Sequence, residues 1–334
     1  MIKGKQSIQF DQAPYIFESA SIAGKKEADG PLGRQFDRIE PDPMLGKDTW
    51  EEAESELQRL AANEVLKKSG LASSDIRYIL AGDLLEQMTA TSFGLMDFSI
   101  PLFGLYGACS TMGESIGLGS MLVAGGFAES VMALASSHFA GAEKQFRFPL
   151  DYGNQRPLAA SWTVTGCGAV IISTRRSHAR IQGITTGKIV DYGMKDSMNM
   201  GACMAPAACD TIYQNFMDFN CMPDEYDKII TGDLGYIGHD ILLDLLKEKG
   251  FDISKQHMDC GIEIYDRDTQ DTHNGGSGCG CAAITLCSYI LNQLEKGAWK
   301  KVLFIPTGAL LSKTSYNEGR TVPGIAHAVI LEHC

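Results

Sequence analysis

The stretch YILAGDL at residues 78–84 returns 150 residues later as KIITGDL at residues 228–234. Each copy is a short apolar run that ends in Gly-Asp, which is typical of a buried strand followed by a turn. Each copy also follows a segment with helical periodicity, residues 50–69 in the first case and 205–219 in the second. A phrase repeated in the same context predicts that one folding unit occurs twice in the chain.

Two further landmarks recur in the same order. A small-residue helix, a Gly turn and a strand occupy residues 108–135, and a similar series occupies residues 277–305. The closing strands AVII and AVIL at residues 169–172 and 328–331 also match. Continuous apolar strands that alternate with helices indicate an α/β fold whose sheets are covered on both faces.

The sequence therefore predicts a duplicated α/β fold with similar halves, residues 1–177 and 178–334. We expect two mixed five-stranded sheets packed around central helices, whose Gly, Ala, Ser and Cys content permits close approach. Residues 25–47 and 138–160 are rich in turn-forming residues and are predicted to be long loops.

Composition limits the function. The 334 residues include 29 basic and 41 acidic side chains, and no run of Lys or Arg is dense enough to follow a phosphate backbone. A nucleic-acid partner is therefore not expected. The N-terminal residues lack the apolar core of a signal peptide, and no run of about 18 apolar residues occurs. We expect an intracellular protein without a transmembrane segment.

The ten cysteines are scattered through apolar segments of a long chain, which favours free thiols in a reducing compartment over a disulfide framework. Cys279 and Cys281 form a C-x-C pair, but no second Cys or His pair stands at a suitable spacing. The sequence predicts neither a metal site nor a cofactor.

Cys109 follows the apolar segment 101–106 and opens the small-residue helix. At a turn from strand to helix, free backbone N–H groups and the helix dipole favour a thiolate or a bound anion. A small buried core cysteine is the alternative interpretation.

GACSTM at residues 107–112 and TGCGAV at residues 165–170 resemble the corresponding segments of thiolases and of the condensing enzymes of fatty-acid synthesis. The resemblance implies a layered αβαβα fold with Cys109 in the nucleophile position. It also implies that two loops of the second half supply partners for this cysteine, either His alone or His together with Asn. Here Gly232-Asp233-Leu234 and Gly278 stand in those places, and His239 and His273 lie near them without being in register.

Over the whole chain, the segments FDQAPYIFESASIAGKKEADGPLG, TWEEAE, GACSTMGES and HNGGSGCGCAA resemble the stage V sporulation protein AD family. That resemblance implies a protein of spore-forming bacteria that binds dipicolinic acid (pyridine-2,6-dicarboxylic acid), free or as its calcium chelate, and serves its uptake into the developing spore. It further implies a peripheral location at the inner spore membrane beside SpoVA-type membrane proteins. The wider superfamily suggests a homodimer.

A small planar dianion needs hydrogen-bond donors and positive charge. The helix start, the end of the strand at residues 131–135, the long excursion after it and a loop of the second half could supply them. The predicted ligand residues are Cys109, Ser110, Thr111, Ser137, His138, Lys144, Arg147, Arg156 and His273.

Three functions remain open at this point: a non-catalytic dipicolinate-binding protein, a Cys-dependent acyltransferase or condensing enzyme acting on an acyl thioester, and a scaffold with a vestigial pocket. The missing His and Asn partners favour the first, because a thiol without an activating base is a poor nucleophile.

Overall fold

A computed structural model describes residues 1–146 and 156–334. Seventeen strands lie in those two ranges. They are β1 (Ile2–Lys3), β2 (Ser7–Gln9), β3 (Tyr15–Gly24), β4 (Arg38–Glu40), β5 (Tyr78–Gly82), β6 (Leu102–Gly104), β7 (Ser130–Ser137), β8 (Trp162–Thr163), β9 (Gly166–Ser173), β10 (Ala179–Thr185), β11 (Lys228–Thr231), β12 (His257–Asp259), β13 (Gly276–Ser277), β14 (Lys301–Ile305), β15 (Thr307–Ala309), β16 (Gly324–Ala326) and β17 (Ala328–His333).

The α-helices of the same ranges are α1 (Lys25–Ala28), α2 (Trp50–Ser69), α3 (Thr89–Leu95), α4 (Thr111–Ala124), α5 (Phe139–Phe146), α6 (Met200–Phe219), α7 (Gly235–Glu248), α8 (Cys260–Glu263), α9 (Cys279–Thr285), α10 (Leu291–Glu295) and α11 (Lys313–Asn317). Short 3-10 turns occupy Gly33–Gln35, Ser73–Asp75, Glu86–Met88, Met96–Phe98, Ala108–Ser110 and Pro223–Glu225. A π-helical turn, Leu286–Ile290, joins α9 to α10.

The main sheet shows the duplication directly. Its strand order is β12-β11-β14-β17-β10-β3-β9-β7-β5-β6, which is two blocks of five strands arranged in mirrored order. In each block the repeated phrase forms the strand, β5 or β11, that pairs in parallel with two neighbours. The other two strands of each block pair antiparallel. The predicted thiolase-like fold class is confirmed.

The two five-stranded blocks are hydrogen-bonded to each other, a feature that the sequence did not predict. β10 pairs antiparallel with β3 through Ala179 with Ile16 and Arg180 with Tyr15. The predicted boundary at residues 177 and 178 falls in the connection between β9 and β10.

Adjacent residues of each strand enter different layers of the core, as the period of two requires. Ile229 packs with the outer helices α6 and α7, whereas Ile230 packs with the central helices α4 and α9. In the first block, Leu134 faces the outer helix α2 while Ala133 faces the centre. The protein thus has five layers, with α4 and α9 between the two five-stranded blocks.

Close packing at the centre explains the small residues. A Cβ placed on Gly168 in β9 would lie 2.4 Å from backbone atoms of Ala283 in α9, so a side chain there would separate helix and sheet. The small residues of the central helices therefore permit the close approach of helix and sheet, as the sequence predicted.

The outer helix α2 begins and ends where the sequence predicts. The Thr49 hydroxyl accepts a hydrogen bond from the Glu52 N–H, and the Glu52 carboxylate accepts one from the Thr49 N–H, which forms a capping box. Gly70 ends the helix in the left-handed conformation.

The two segments predicted as long loops contain regular structure. Residues 25–47 include α1 and the short strand β4, which pairs with β3. The described part of 138–160 begins with α5. The prediction of a loop was wrong here because it used only the local Gly and Pro content. The short elements α1 and β4 form through their contacts with β3, which the local sequence does not show.

Candidate functional site

Cys109 lies at the predicted turn between strand and helix. β6 ends at Gly104, Ala108 adopts a left-handed φ of 48°, and α4 begins at Thr111. The Thr111 hydroxyl donates to the Ala108 carbonyl at 2.7 Å, and the Ser110 hydroxyl donates to the Gly107 carbonyl at 2.6 Å. Both hydroxyls therefore hold the turn that presents the thiol.

The thiol borders a narrow pocket of about 40 Å³ to which both halves contribute. β8, β13 and β15 supply part of the wall, and α5 supplies another part. The pocket is lined by Leu84, Tyr106, Ala108, Cys109, Ala142, Glu143, Phe146, Thr163, Met200, Ser277, Ala309 and Leu311. We call this the Cys109 pocket.

Asp233 is the acid next to the thiol. Its carboxylate accepts hydrogen bonds from the Ser277 hydroxyl at 2.8 Å, the Gly278 N–H at 3.0 Å and the Thr307 hydroxyl at 2.8 Å. The Ser277 oxygen lies 3.9 Å from the Cys109 sulfur. A carboxylate thus occupies the environment in which the superfamily resemblance implies a histidine.

The electrostatics keep the Cys109 sulfur protonated. Burial, followed by the negative charge of Asp233, raises the pKa of the thiol well above its usual value. Burial also raises the pKa of Asp233 to about 6, although its hydrogen-bond donors oppose that rise. The carboxylate is a weaker base than the thiolate, and after taking up the proton it would be neutral, so it would not stabilise the thiolate as an imidazolium would. The expected activation of the thiol by the helix start is corrected: burial and Asp233 outweigh it.

Gly278 replaces the expected Asn for a steric reason. Its φ is 102°, and a Cβ there would lie 2.6 Å from the Ser137 oxygen. The nearby Asn274 does not substitute for it. Its side chain bonds the Leu234 carbonyl at 3.2 Å and the Ile237 N–H at 2.8 Å, so it ties two loops together.

Histidines do not complete the site either. His239 and His257 face each other, with 2.6 Å between their Nδ1 atoms, and His257 also contacts Thr231. His273 contacts the Pro157 carbonyl at 3.0 Å and the Asp271 carboxylate at 3.0 Å. None of these three rings lines the Cys109 pocket.

Three further predicted ligand residues have partners elsewhere. The Ser137 hydroxyl donates to the Val164 carbonyl and accepts from the Gly280 N–H. His138 contacts the Pro43 carbonyl at 2.8 Å, and burial lowers its pKa. Lys144 pairs with Glu51 at 2.8 Å. Ser137 and His138 directly precede α5 and Lys144 lies within it, and none of the three lines the pocket.

Arg156 lies on the other side of β8. Its guanidinium packs 4.8 Å from the Trp162 ring and bonds both the backbone carbonyl and the carboxylate of Asp271. Arg147 lies outside the described residues. The predicted ligand residues therefore do not form one site, and their roles stay predictions.

The sequence interpretation missed Ser277, which lines the pocket, and Asp233, which accepts the hydrogen bond of Ser277. One signal was available, because the repeated Gly-Asp phrase places Asp233 at the end of β11, next to the centre of the fold. In the part of the chain that the structure describes, no group of three or more His, Cys, Asp or Glu side chains is arranged to hold a metal ion.

The fold and the position of Cys109 define the class of the protein, a thiolase-type fold of the condensing-enzyme kind. The 3-oxoacyl-[acyl-carrier-protein] synthase III of Aquifex aeolicus superposes with a TM-score of 0.57 at 13% identity, covering 96% of this chain and 100% of that one. Cerulenin-bound OleA of Xanthomonas campestris gives a TM-score of 0.60 at 13% identity, covering 97% and 98% of the two chains. At such identities the likeness concerns the fold alone.

Sequence comparison then gives the family. Residues 4–332 match the family model of stage V sporulation protein AD. The stage V sporulation protein AD of Bacillus subtilis (strain 168) is 44% identical over 331 residues, which covers 99% of this chain and 98% of that protein. The chain belongs to the stage V sporulation protein AD family, and it is a sporulation protein with a thiolase-like fold.

Proposed function

We propose that this protein binds dipicolinic acid without covalent chemistry in the Cys109 pocket and serves its uptake into the developing spore. The observation that carries the proposal is the buried pair of Cys109 and Asp233. It retains the nucleophile position of a condensing enzyme, but the partner of the thiol is a carboxyl whose negative charge disfavours the thiolate.

The alternative is a Cys-dependent acyltransferase acting on an acyl thioester. Attack on a thioester requires the thiolate, and the Cys109 environment disfavours it through burial and through the charge of Asp233. The structural neighbours bear on the fold only, since function depends on the site. The geometry therefore supports binding over acyl transfer.

The charge of the pocket limits how a dianion could be held. Among the described lining residues, Glu143 is the single ionisable side chain besides Cys109 and Tyr106, and none is a cation. Asp233 adds a second carboxyl beneath Ser277. We propose that the positive charge comes from Arg147, which follows α5, or from calcium carried by the ligand as its chelate.

The size of the pocket sets a second requirement. A space of about 40 Å³ admits a few water molecules, so a pyridine ring requires a lining side chain to move. The large apolar side chains of the lining that could move are Leu84, Phe146, Met200 and Leu311.

Binding calorimetry with dipicolinic acid, with and without Ca²⁺, tests the proposal. Cys109→Ser should bind within about threefold of wild type, because a hydroxyl replaces a thiol of similar size. Arg147→Ala should bind roughly tenfold to a hundredfold more weakly if that guanidinium makes a charge-assisted bond, which is typically worth about 1.5–3 kcal/mol. Arg156→Ala, whose guanidinium lies beyond β8, is the matched control.

Intact-mass measurement after incubation with an acyl-coenzyme A separates the two functions. We expect no added mass on wild type. Covalent labelling that disappears in Cys109→Ser, together with normal dipicolinate binding by both Arg variants, would replace the binding function with acyl transfer.

We also propose that the protein acts beside SpoVA-type membrane proteins at the inner spore membrane and forms a homodimer. The support for a dimer is β6, the last strand of the sheet, whose Leu102 and Phe103 are 43% and 48% exposed. An apolar sheet edge of this kind favours pairing with a second chain. Within the described ranges, no helix has the length and apolarity to cross a bilayer. Light scattering measures the dimer, and co-purification from spore membranes tests the location.

A further inference from the structure

A second cavity, separate from the Cys109 pocket, lies on the other side of β8. Trp162 and Thr163 are consecutive in that strand, and Trp162 lines the cleft whereas Thr163 lines the Cys109 pocket. The cleft measures about 780 Å³. Its wall includes Lys26, Glu27, Pro43, Phe139, Trp162 and Asp271. We call it the Lys26 cleft.

Lys26 is a partly buried cation with few partners. Its Nζ donates to the Gln270 carbonyl at 2.6 Å and lies 4.2 Å from the centre of the Trp162 ring. No carboxylate of the described residues lies within ion-pair distance of it. Burial and the nearby charge of Arg156 lower its pKa, while Glu27 and Asp271 oppose that change. An ammonium group in this position would gain from an anion.

Arg156 brings a second cation to the same indole ring. Its side chain is only 4% exposed, and its guanidinium lies 4.8 Å from the Trp162 ring centre. One guanidinium nitrogen, Nη2, bonds Asp271, but the other, Nη1, has no partner among the described residues. Two cations thus lie beside one aromatic ring, and the carboxylate that pairs with one of them, Asp271 with Arg156, is 77% exposed.

The other acids of the cleft do not neutralise this charge. Glu27 is fully buried, accepts hydrogen bonds from the Tyr265 hydroxyl and the Thr165 N–H, and has its pKa raised by burial. Asp29 pairs with Lys25 at 2.7 Å. One part of the wall is apolar: Phe139 stacks on Trp162 at 3.9 Å, and Pro41 and Pro43 also line the cleft. Thr165, Thr269 and Gln270 add uncharged polar groups.

We propose that the Lys26 cleft binds a small organic carboxylate, with the carboxylate beside Lys26 and Arg156 and the apolar body against Pro43 and Phe139. A carboxylate would provide the anionic partner that Lys26 lacks among the described residues and an acceptor for the Arg156 Nη1 group, and the apolar part of the wall would select against small inorganic anions. This site is separate from the Cys109 pocket and does not depend on the proposed function.

Benzoate is the probe for this site. In calorimetric or NMR titrations, wild type should bind benzoate at least about fivefold more tightly than acetate, because the ring adds apolar contact. Lys26→Met should weaken benzoate binding roughly tenfold, since it removes one charge-assisted contact and keeps the apolar stem. Lys25→Met is the matched control and should stay within about twofold, because Lys25 is exposed and already paired with Asp29.

Three results would overturn the proposal. These are no saturable benzoate binding to wild type, equal losses in the two Lys variants, and equal affinities for benzoate and acetate. Circular dichroism checks that each variant is folded, and Lys26→Arg, which retains the charge, should restore binding if the loss is electrostatic.

A dipicolinate titration of the Lys26→Met variant separates the two sites. Unchanged dipicolinate binding with lost benzoate binding supports two independent sites. If dipicolinate binding falls in parallel with benzoate binding, the cleft stands and the placement of dipicolinate in the Cys109 pocket is wrong.

Discussion

Asp83 and Asp233 occupy equivalent positions in the two halves, each directly after the repeated strand and its Gly, yet their contacts differ. Asp83 accepts hydrogen bonds from the Leu85 N–H and from the N–H and hydroxyl of Thr91 at the start of α3, at most eight residues away. Asp233 instead accepts from Ser277, Gly278 and Thr307, which lie 44 to 74 residues away. One aspartate closes a loop, whereas the other joins three segments beneath the thiol.

The difference shows how a duplicated unit acquires a site. The common phrase ensures that both carboxyls are buried at the end of a central strand, and in both cases burial raises the pKa. Only in the second half do the neighbouring segments bring the carboxyl to Cys109. The site is therefore a property of the contacts between halves.

The largest effect that we expect is on stability. Asp233→Ala should lower the free energy of unfolding by about 3 kcal/mol. Three buried donors each lose an acceptor, which costs about 1–3 kcal/mol per donor, and removal of the buried charge offsets part of this loss. Asp83→Ala should cost about 1–2 kcal/mol, since its donors belong to one short segment that can readjust locally without separating the two halves. Urea denaturation at pH 7 compares the two variants, and equal losses would remove the distinction.

The pH dependence of stability sharpens the comparison. The pKa of Asp233 is raised from 3.8 to about 6 in the folded protein, so the folded state holds this proton more tightly than the unfolded state does. Its stabilising contribution is complete below pH 4 and is lost as the pH rises through 6.

Asp233→Asn should therefore become more stable relative to wild type between pH 4 and pH 7, by at most about 3 kcal/mol. The other buried acids are present in both proteins and cancel in this difference. Asp83→Asn should change in the same direction, because burial also raises the pKa of Asp83. A difference between wild type and Asp233→Asn that does not vary with pH would contradict the assigned pKa.

The smallest expected effect is on the reactivity of the thiol. Asp233→Asn removes the nearby negative charge that helps to raise the pKa of Cys109, so alkylation by iodoacetamide at pH 8 should accelerate, by up to about tenfold. Peptide mapping by mass spectrometry gives the rate at this single cysteine. Asp83→Asn is the control and should leave it unchanged.

Local patterns were enough to predict much of the fold. The Trp50–Ser69 helix, both copies of the repeated strand and the turn at Cys109 each depend on residues close together in the chain. The fold class followed from their repetition and from the resemblance to thiolases.

The composition of the site could not be predicted in the same way. Asp233, Ser277 and Thr307 come from separate segments, and no spacing rule relates them. Similarly, Lys26, Arg156 and Trp162 meet only after the chain has folded. The sequence interpretation assigned Lys144 and Arg156 to one ligand site because they are close in the sequence. In the structure they have different partners: Lys144 pairs with Glu51, and Arg156 packs on Trp162.

β8 is only two residues long, and it pairs in parallel with β13, so that Trp162 lies opposite Gly276 and Thr163 lies opposite Ser277. The indole of one residue and the hydroxyl of the next face different cavities across a single layer of backbone. If a molecule in one cavity shifts this ribbon, it changes the affinity of the other cavity. By thermodynamic reciprocity, binding in the second cavity would then change the affinity of the first by the same factor. The occupancy of each cavity would therefore depend on the concentration of both ligands.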